Sequence, residues 1–146
     1  MPASRTILAF DWGLRCIGVA LGQQLIHSST PLTILKATNG APDWQAIERL
    51  VREWQPDLLV VGLPLNMDGS DSVSSDHARR FARRLQGRLN LPVTLVDERL
   101  TSHEARQQRR EREDYRDNRQ HTVDAEAACI ILQDYYNRLP DGAEKA

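Results

Sequence analysis

With 146 residues and a net charge of −1, the chain is the size of one domain with a sizeable buried core, and nothing in its overall charge singles out a polyanionic partner. Its 40% hydrophobic and 27% charged content is a soluble globular balance, and no apolar run approaches the ~20 residues of a membrane span. Cys16 and Cys129 sit in separate apolar segments without a Cys-x-x-Cys pair, so they read as reduced core residues of a cytoplasmic protein rather than a disulfide or metal site.

Met1-Pro2-Ala3-Ser4-Arg5 leads straight into a strand, which predicts no secretory signal. Residues 6–11 and 15–22 read as strands joined by a tight turn at Trp12-Gly13-Leu14. A third strand is expected over 25–35, completing a meander. Thr38 to Pro42 reads as a loop and helix start. Trp44, Ile47, Leu50, Val51 and Trp54 recur at helical spacing up to Gln55, where Pro56 stops the helix; both tryptophans are expected to anchor the core.

Leu58-Leu59-Val60-Val61-Gly62 is a short continuous apolar run, the pattern of a strand buried on both faces. Turn formers fill 63–70. A helix is predicted from about Ser72 to Leu89, with Ala78, Phe81, Ala82 and Leu85 inward and the serines near 70–75 as caps. Residues 92–96 form the fifth strand, ending at Asp97-Glu98-Arg99. Thr101 or Ser102 is placed to cap a helix starting near His103. The stretch Gln107–Gln120 is charged, lacks an apolar stripe and is expected to be mobile. A last helix is expected over Thr122–Asn137. Residues 1–138 thus read as one domain and 139–146 as a loose tail.

Charge is unevenly spread. Between Arg79 and Arg119 stand 12 arginines against 7 acids, and the chain has 17 arginines to 2 lysines. Arginine binds phosphate bidentately, so this suits a phosphate-binding face; solvated helix faces explain the same pattern.

Three acids sit where acids are costly. Asp11 ends an apolar strand against Gly13, where a carboxylate loses hydration unless a cation compensates it. Asp124 falls on a helical face with Ala125, Ala128, Ile131, Leu132, Tyr135 and Tyr136, whereas Glu126, Gln133, Asp134 and Asn137 cluster opposite. Asp97 and Glu98 close the fifth strand pointing to opposite faces, and only one of them can join Asp11; spacing alone leaves the choice open. Acids on three separate elements suggest a divalent-cation site and phosphoryl chemistry. Other chemistries find no support. His103-Glu104 lacks the second histidine of a zinc motif, no Gly-x-x-x-x-Gly-Lys-Ser/Thr loop exists, and Ser70 to Ser75 lack a nucleophile-elbow context.

Four segments occur in a telling order: Asp11-x-Gly13-x-Arg15-x-Ile17-Gly18-Val19-Ala20, Val61 through Gly69, Asp97-Glu98-Arg99-Leu100-Thr101, and Asp124-x-x-Ala127-Ala128-x-x-x-Leu132. Together, over Leu8 to Tyr136, the chain resembles the YqgF (RuvX-like) family of Holliday junction resolvases and pre-16S rRNA maturation nucleases. That resemblance implies an α/β, RNase H-like fold: a five-stranded mixed sheet with helices on both faces and its first three strands antiparallel. It implies Asp11, Glu98 and Asp124 as catalytic residues holding one or two Mg²⁺ or Mn²⁺ ions, and it favours Glu98 over Asp97. A loop containing Gly62, Pro64, Asn66, Asp68 and Gly69 would flank the cleft. Arg15, Arg99, Arg79, Arg80, Arg83, Arg106, Arg109 and Arg110 would grip phosphates.

The expected activity is metal-dependent phosphodiester hydrolysis in structured nucleic acid, foremost 5′-end maturation of pre-16S rRNA. The alternatives are a Holliday junction resolvase and a non-catalytic nucleic-acid-binding assembly or transcription factor. A resolvase needs paired sites and hence a homodimer; an rRNA nuclease does not, so monomer and homodimer both stay open. A sugar-kinase or actin-like ATPase needs two such domains, and this chain has room for one.

Overall fold

The computed structural model describes residues 5–99 and 118–139, with side chains from residue 125 onward in the second span. Six strands form one mixed sheet in the order β4-β3-β2-β1-β5-β6: β1 (Thr6–Asp11), β2 (Cys16–Gln23), β3 (Thr30–Thr38), β4 (Ala41–Pro42), β5 (Leu58–Leu63) and β6 (Val93–Asp97). The first three pair antiparallel, while β5 runs parallel to β1 and β6 parallel to β5. Among the described residues the helices are α1 (Trp44–Trp54), α2 (Val73–Leu89) and α3 (Asn118–Asn137). This is the RNase H-like arrangement the resemblance implies.

Burial explains the layering. Ile7, Leu8, Ala9 and Phe10 of β1 are fully buried, because this central strand is covered on both faces. Leu8 and Phe10 join Leu59, Val61, Phe81 and Leu85 in one apolar cluster under α1 and α2. Ile7 and Ala9 join Leu58, Val60, Val96, Ala128, Ile131 and Leu132 in a second cluster under α3. The inward residues predicted for α2 and α3 are buried as expected. Asp43 caps α1 by accepting from the Gln45 and Ala46 amides, and Ser72 caps α2 in a reciprocal pair with Ser75.

The structure corrects several local expectations. The sheet has six strands rather than five, because Asn39 and Gly40 take φ of 52° and 83° and turn β3 back onto β4. Asn-Gly is the dipeptide favoured in such a two-residue hairpin turn, a signal the reading of 38–42 as plain loop passed over. The start of the expected 25–35 strand is instead a 3-10 turn, Gln24–Ile26, closed by His27 at φ 49°. Trp54 is 36% exposed rather than a core anchor, since it ends its helix before the Gln55 cap. α3 begins at Asn118, one turn before Thr122, through residues whose polarity gave no periodic signal. Cys16 is buried and Cys129 half-buried. The helix expected near His103, residues 107–117 of the charged stretch and the tail from 140 lie outside the described residues.

The hairpin turn supports what precedes it. The Trp12 indole donates to the Gly40 carbonyl at 3.1 Å, and a Cβ on Gly40 would stand 2.5 Å from the Trp12 ring. Gly40→Ala therefore combines a left-handed backbone with a clash. We expect a loss of about 1–3 kcal/mol, read as a fall in melting temperature; an unchanged melting temperature would contradict this contact.

Candidate active site

Register and strand alternation bring the acids to one end of the sheet. Phe10 is level with Val61 across the parallel β1–β5 pair, which sets Asp11 beside Gly62. Gly62 is level with Val96 on β6, and Leu63 with Asp97. Along β1, Ile7 and Ala9 face α3, so Asp11 emerges on that face too. Val96 also faces α3, Asp97 turns away, and Glu98 returns to the α3 side.

The backbone continues to pair past the end of β6. The Glu98 amide donates to the Leu63 carbonyl at 2.8 Å, and the Leu65 amide donates to the Glu98 carbonyl at 3.1 Å. Between Asp11 and Glu98 the floor is Gly62, where an added Cβ would lie 2.5 Å from the Ile131 side chain and 3.7 Å from Glu98 Cγ. Only glycine leaves room there for both neighbours.

Glu98 has a strongly perturbed carboxyl. Burial and a hydrogen bond with Asp134 of α3, reinforced by the charges of Asp134 and Asp97, push its pKa up to about 8 against a partial offset from Arg138. Its Oε1 is buried with no hydrogen-bond partner, as is Asp97 Oδ1. Orphaned, acidic oxygen donors are the chemistry a hard divalent cation takes, so the residues present fit Mg²⁺ or Mn²⁺.

Asp134 is a residue the sequence reading missed. It was assigned to the polar side of its helix, yet it is half-buried against Glu98. The wheel misplaces it because Glu98 reaches up to the flank of α3, a contact no helical periodicity encodes. Asp124 lies in α3 two turns before Ile131, but its side chain is outside the described residues. Among the described residues, no three His, Cys, Asp or Glu side chains gather to hold a metal.

The 64–72 loop is tied to the same corner. Asn66 Nδ2 donates to Ser70 Oγ and the Asp71 carbonyl, and Asp68 accepts from the Ser70 amide and hydroxyl. Those bonds hold the Asp68 carboxyl below its ordinary pKa. Ser72 donates to the Pro64 carbonyl at 2.6 Å. Arg99 pairs with Asp97 at 3.3 Å and donates to the Met67 carbonyl at 3.1 Å, and its guanidinium covers Gly69, whose φ is 86°.

The predicted phosphate contacts divide clearly. Arg15 is exposed on the turn after Asp11, and Arg99 flanks Glu98. Arg79 is engaged with Asp71 at 3.1 Å, while Arg80 and Arg83 are exposed on α2. Arg106, Arg109 and Arg110 lie outside the described residues. No helix among the described residues is long and apolar enough to cross a membrane.

Comparison with known proteins gives consistent relatives. The RuvX family, described as Holliday junction resolvase, matches residues 5–138. A Haemophilus ducreyi protein named "Putative pre-16S rRNA nuclease" is 50% identical over 135 residues, covering 92% of this chain and 98% of its own length. A Yersinia pestis protein of the same name is 50% identical over 135 residues, covering 92% and 96%. Among solved structures, T. thermophilus RuvC in complex with Holliday junction substrate aligns at 12% identity and a TM-score of 0.48, over 91% of this chain and 94% of that one.

The Glu98 environment predicts a pH signature. A carboxyl whose pKa is raised on folding destabilises the fold as it ionises, so wild-type stability falls as pH rises from about 4.5 to about 8. Glu98→Gln cannot ionise. In EDTA it should melt above wild type at pH 9 by an amount on the order of 1 kcal/mol after solvent screening, or about 2–4 °C. The gain should vanish near pH 5; a gain independent of pH would refute the assignment.

Proposed function

The chain belongs to the RuvX family, and from that premise we propose that it is a cytoplasmic, metal-dependent nuclease that hydrolyses phosphodiester bonds in 5′-end maturation of pre-16S rRNA. The observation that carries this reading is the placement of Asp11 and Glu98 on one face at the ends of β1 and β6, the two strands flanking β5, with the bare Gly62 between them and Glu98 Oε1 buried without a hydrogen-bond partner among the described residues. The names of the half-identical relatives supply the substrate.

Asp11 and Glu98, with Asp124 from α3, would hold Mg²⁺ or Mn²⁺. A cation bound there supplies Lewis-acid activation of the attacking water and charge neutralisation at the leaving oxygen. The residues themselves set the geometry. Asp11 is fixed by β1, and Glu98 by its two backbone bonds to Leu63 and Leu65. Arg15 and Arg99 bring positive charge to either side of the acids, where a scissile strand's phosphates would lie. The self-bonded loop containing Pro64, Asn66, Asp68 and Gly69 forms a fixed wall, since its turns are closed internally.

Purified protein tests this with two labelled substrates, a pre-16S rRNA 5′ fragment and a four-way DNA junction, each in Mn²⁺ and in EDTA. We expect wild type to cut the RNA only with metal, and Asp11→Asn to fall to background while still binding. Undiminished cutting by Asp11→Asn would overturn the mechanism. Cutting of the junction alone would make the protein a resolvase, and binding without cutting a non-catalytic assembly factor.

A further inference from the structure

Helix α2 turns an arginine-rich face to solvent beyond the site. Arg80, Arg83 and Arg84 are exposed, and the ion pairs among the described residues, Arg79–Asp71 and Arg99–Asp97, engage none of them. Positions three, four and seven apart are neighbours on a helix surface. Gly87 follows Arg84 by three residues, Arg83 by four and Arg80 by seven, so all four positions share one face of the helix.

A glycine inside a helix weakens it, and packing gives this one no reason to be there. A Cβ on Gly87 would meet no atom within 4 Å. What the glycine provides is a bare stretch of helix backbone one to two turns past three cations. Arg88, the next residue, is turned aside over the Trp44 ring at 4.5 Å.

The first half of α2 reaches the turn beside the site. His77, one turn before Arg80, stacks on Trp12 with ring centroids 4.9 Å apart, and Trp12 follows Asp11 directly. At ~1.5 Å per residue, Arg80 to Gly87 covers about 10 Å of helix. A duplex strand carries one phosphate per nucleotide, so a patch of this length reaches more than one of them. The exposed side chains at 80, 83 and 84 are all arginine, and guanidinium groups alone read backbone.

We propose that Arg80, Arg83 and Arg84, on one face of α2 with Gly87, form a docking patch for the sugar–phosphate backbone of a double-stranded RNA arm flanking the cleavage point. This rests on the reading that the chain acts on nucleic acid, though not on its cutting it. The cations hold the backbone in register, and the absent side chain lets it approach the helix closely.

Fluorescence anisotropy in EDTA tests the patch with labelled RNA and DNA duplexes of about 20 base pairs and with their single strands, across a salt series. Replacing all three arginines by Gln should weaken duplex binding at least tenfold and reduce the slope of log K against log salt by about 2–3. Replacing all three by Lys should preserve the slope. Gly87→Gln keeps every charge; it should raise the melting temperature yet weaken duplex binding several-fold. A loss with the RNA duplex supports the patch, and a loss confined to the DNA duplex overturns it. An unchanged slope in the triple Gln variant overturns it. So does an equal loss in Arg49→Gln/Arg52→Gln, whose arginines are exposed on α1, and so does patch-dependent binding of single strands as tight as of duplex. Wild type that binds duplex here but cuts nothing in Mn²⁺ would end the nuclease reading and leave the patch standing.

Discussion

A strand covered on both faces can carry a carboxylate only where it ends, and that constraint organises this protein. Every side chain of β1 from Ile7 to Phe10 is sealed from water, half beneath α3 and half beneath α1 and α2. Asp11 is the first position at which an ionised group avoids full desolvation. Parallel pairing through β5 then fixes how far β6 reaches, and alternation along β6 returns Glu98, not Asp97, to the face that Asp11 uses. The two acids emerge at the same end and on the same face because the hydrophobic layers leave them that edge.

The same edge is rigid for reasons that have little to do with acids. Glu98 is pinned through backbone bonds to Leu63 and Leu65 on either side of the β5 end. Arg99 locks the following loop by its carbonyl contact at Met67. Trp12 joins the turn after Asp11 to the Gly40 hairpin and, through His77, to α2. Such a frame holds two like charges closer than water would allow. The cost shows in the Glu98 carboxyl, whose burial beside Asp134 favours its protonated form. A divalent cation held at this edge would reverse that preference.

Much of this was legible in the residues. Apolar runs at 6–11 and 58–62 marked the buried strands, helical spacing marked the inward faces of α2 and α3, and Asp11 stood out as an acid closing an apolar strand. The choice between Asp97 and Glu98 was not legible locally, because it depends on the register of β6 against β5, a property of two distant segments. Asp134 was invisible for a related reason: the helical wheel sorts residues by face but not by what rises to meet the flank of that face. The hairpin at Asn39-Gly40 was signalled in plain sequence and lost to the short length of β4. Gly87 shows the converse, since its meaning emerges only once the structure reveals that nothing packs against it.

The account rests on Asp11 and Glu98 sharing one cation, and a crystal grown in Mn²⁺ and measured at the manganese absorption edge tests that most directly. The account predicts an anomalous peak between strands β1 and β6, bonded by carboxylate oxygens of Asp11 and Glu98, with Glu98 released from Asp134. A peak confined elsewhere, for instance on Asp68 or Asp71, or no peak with Glu98 still bonded to Asp134, would contradict it.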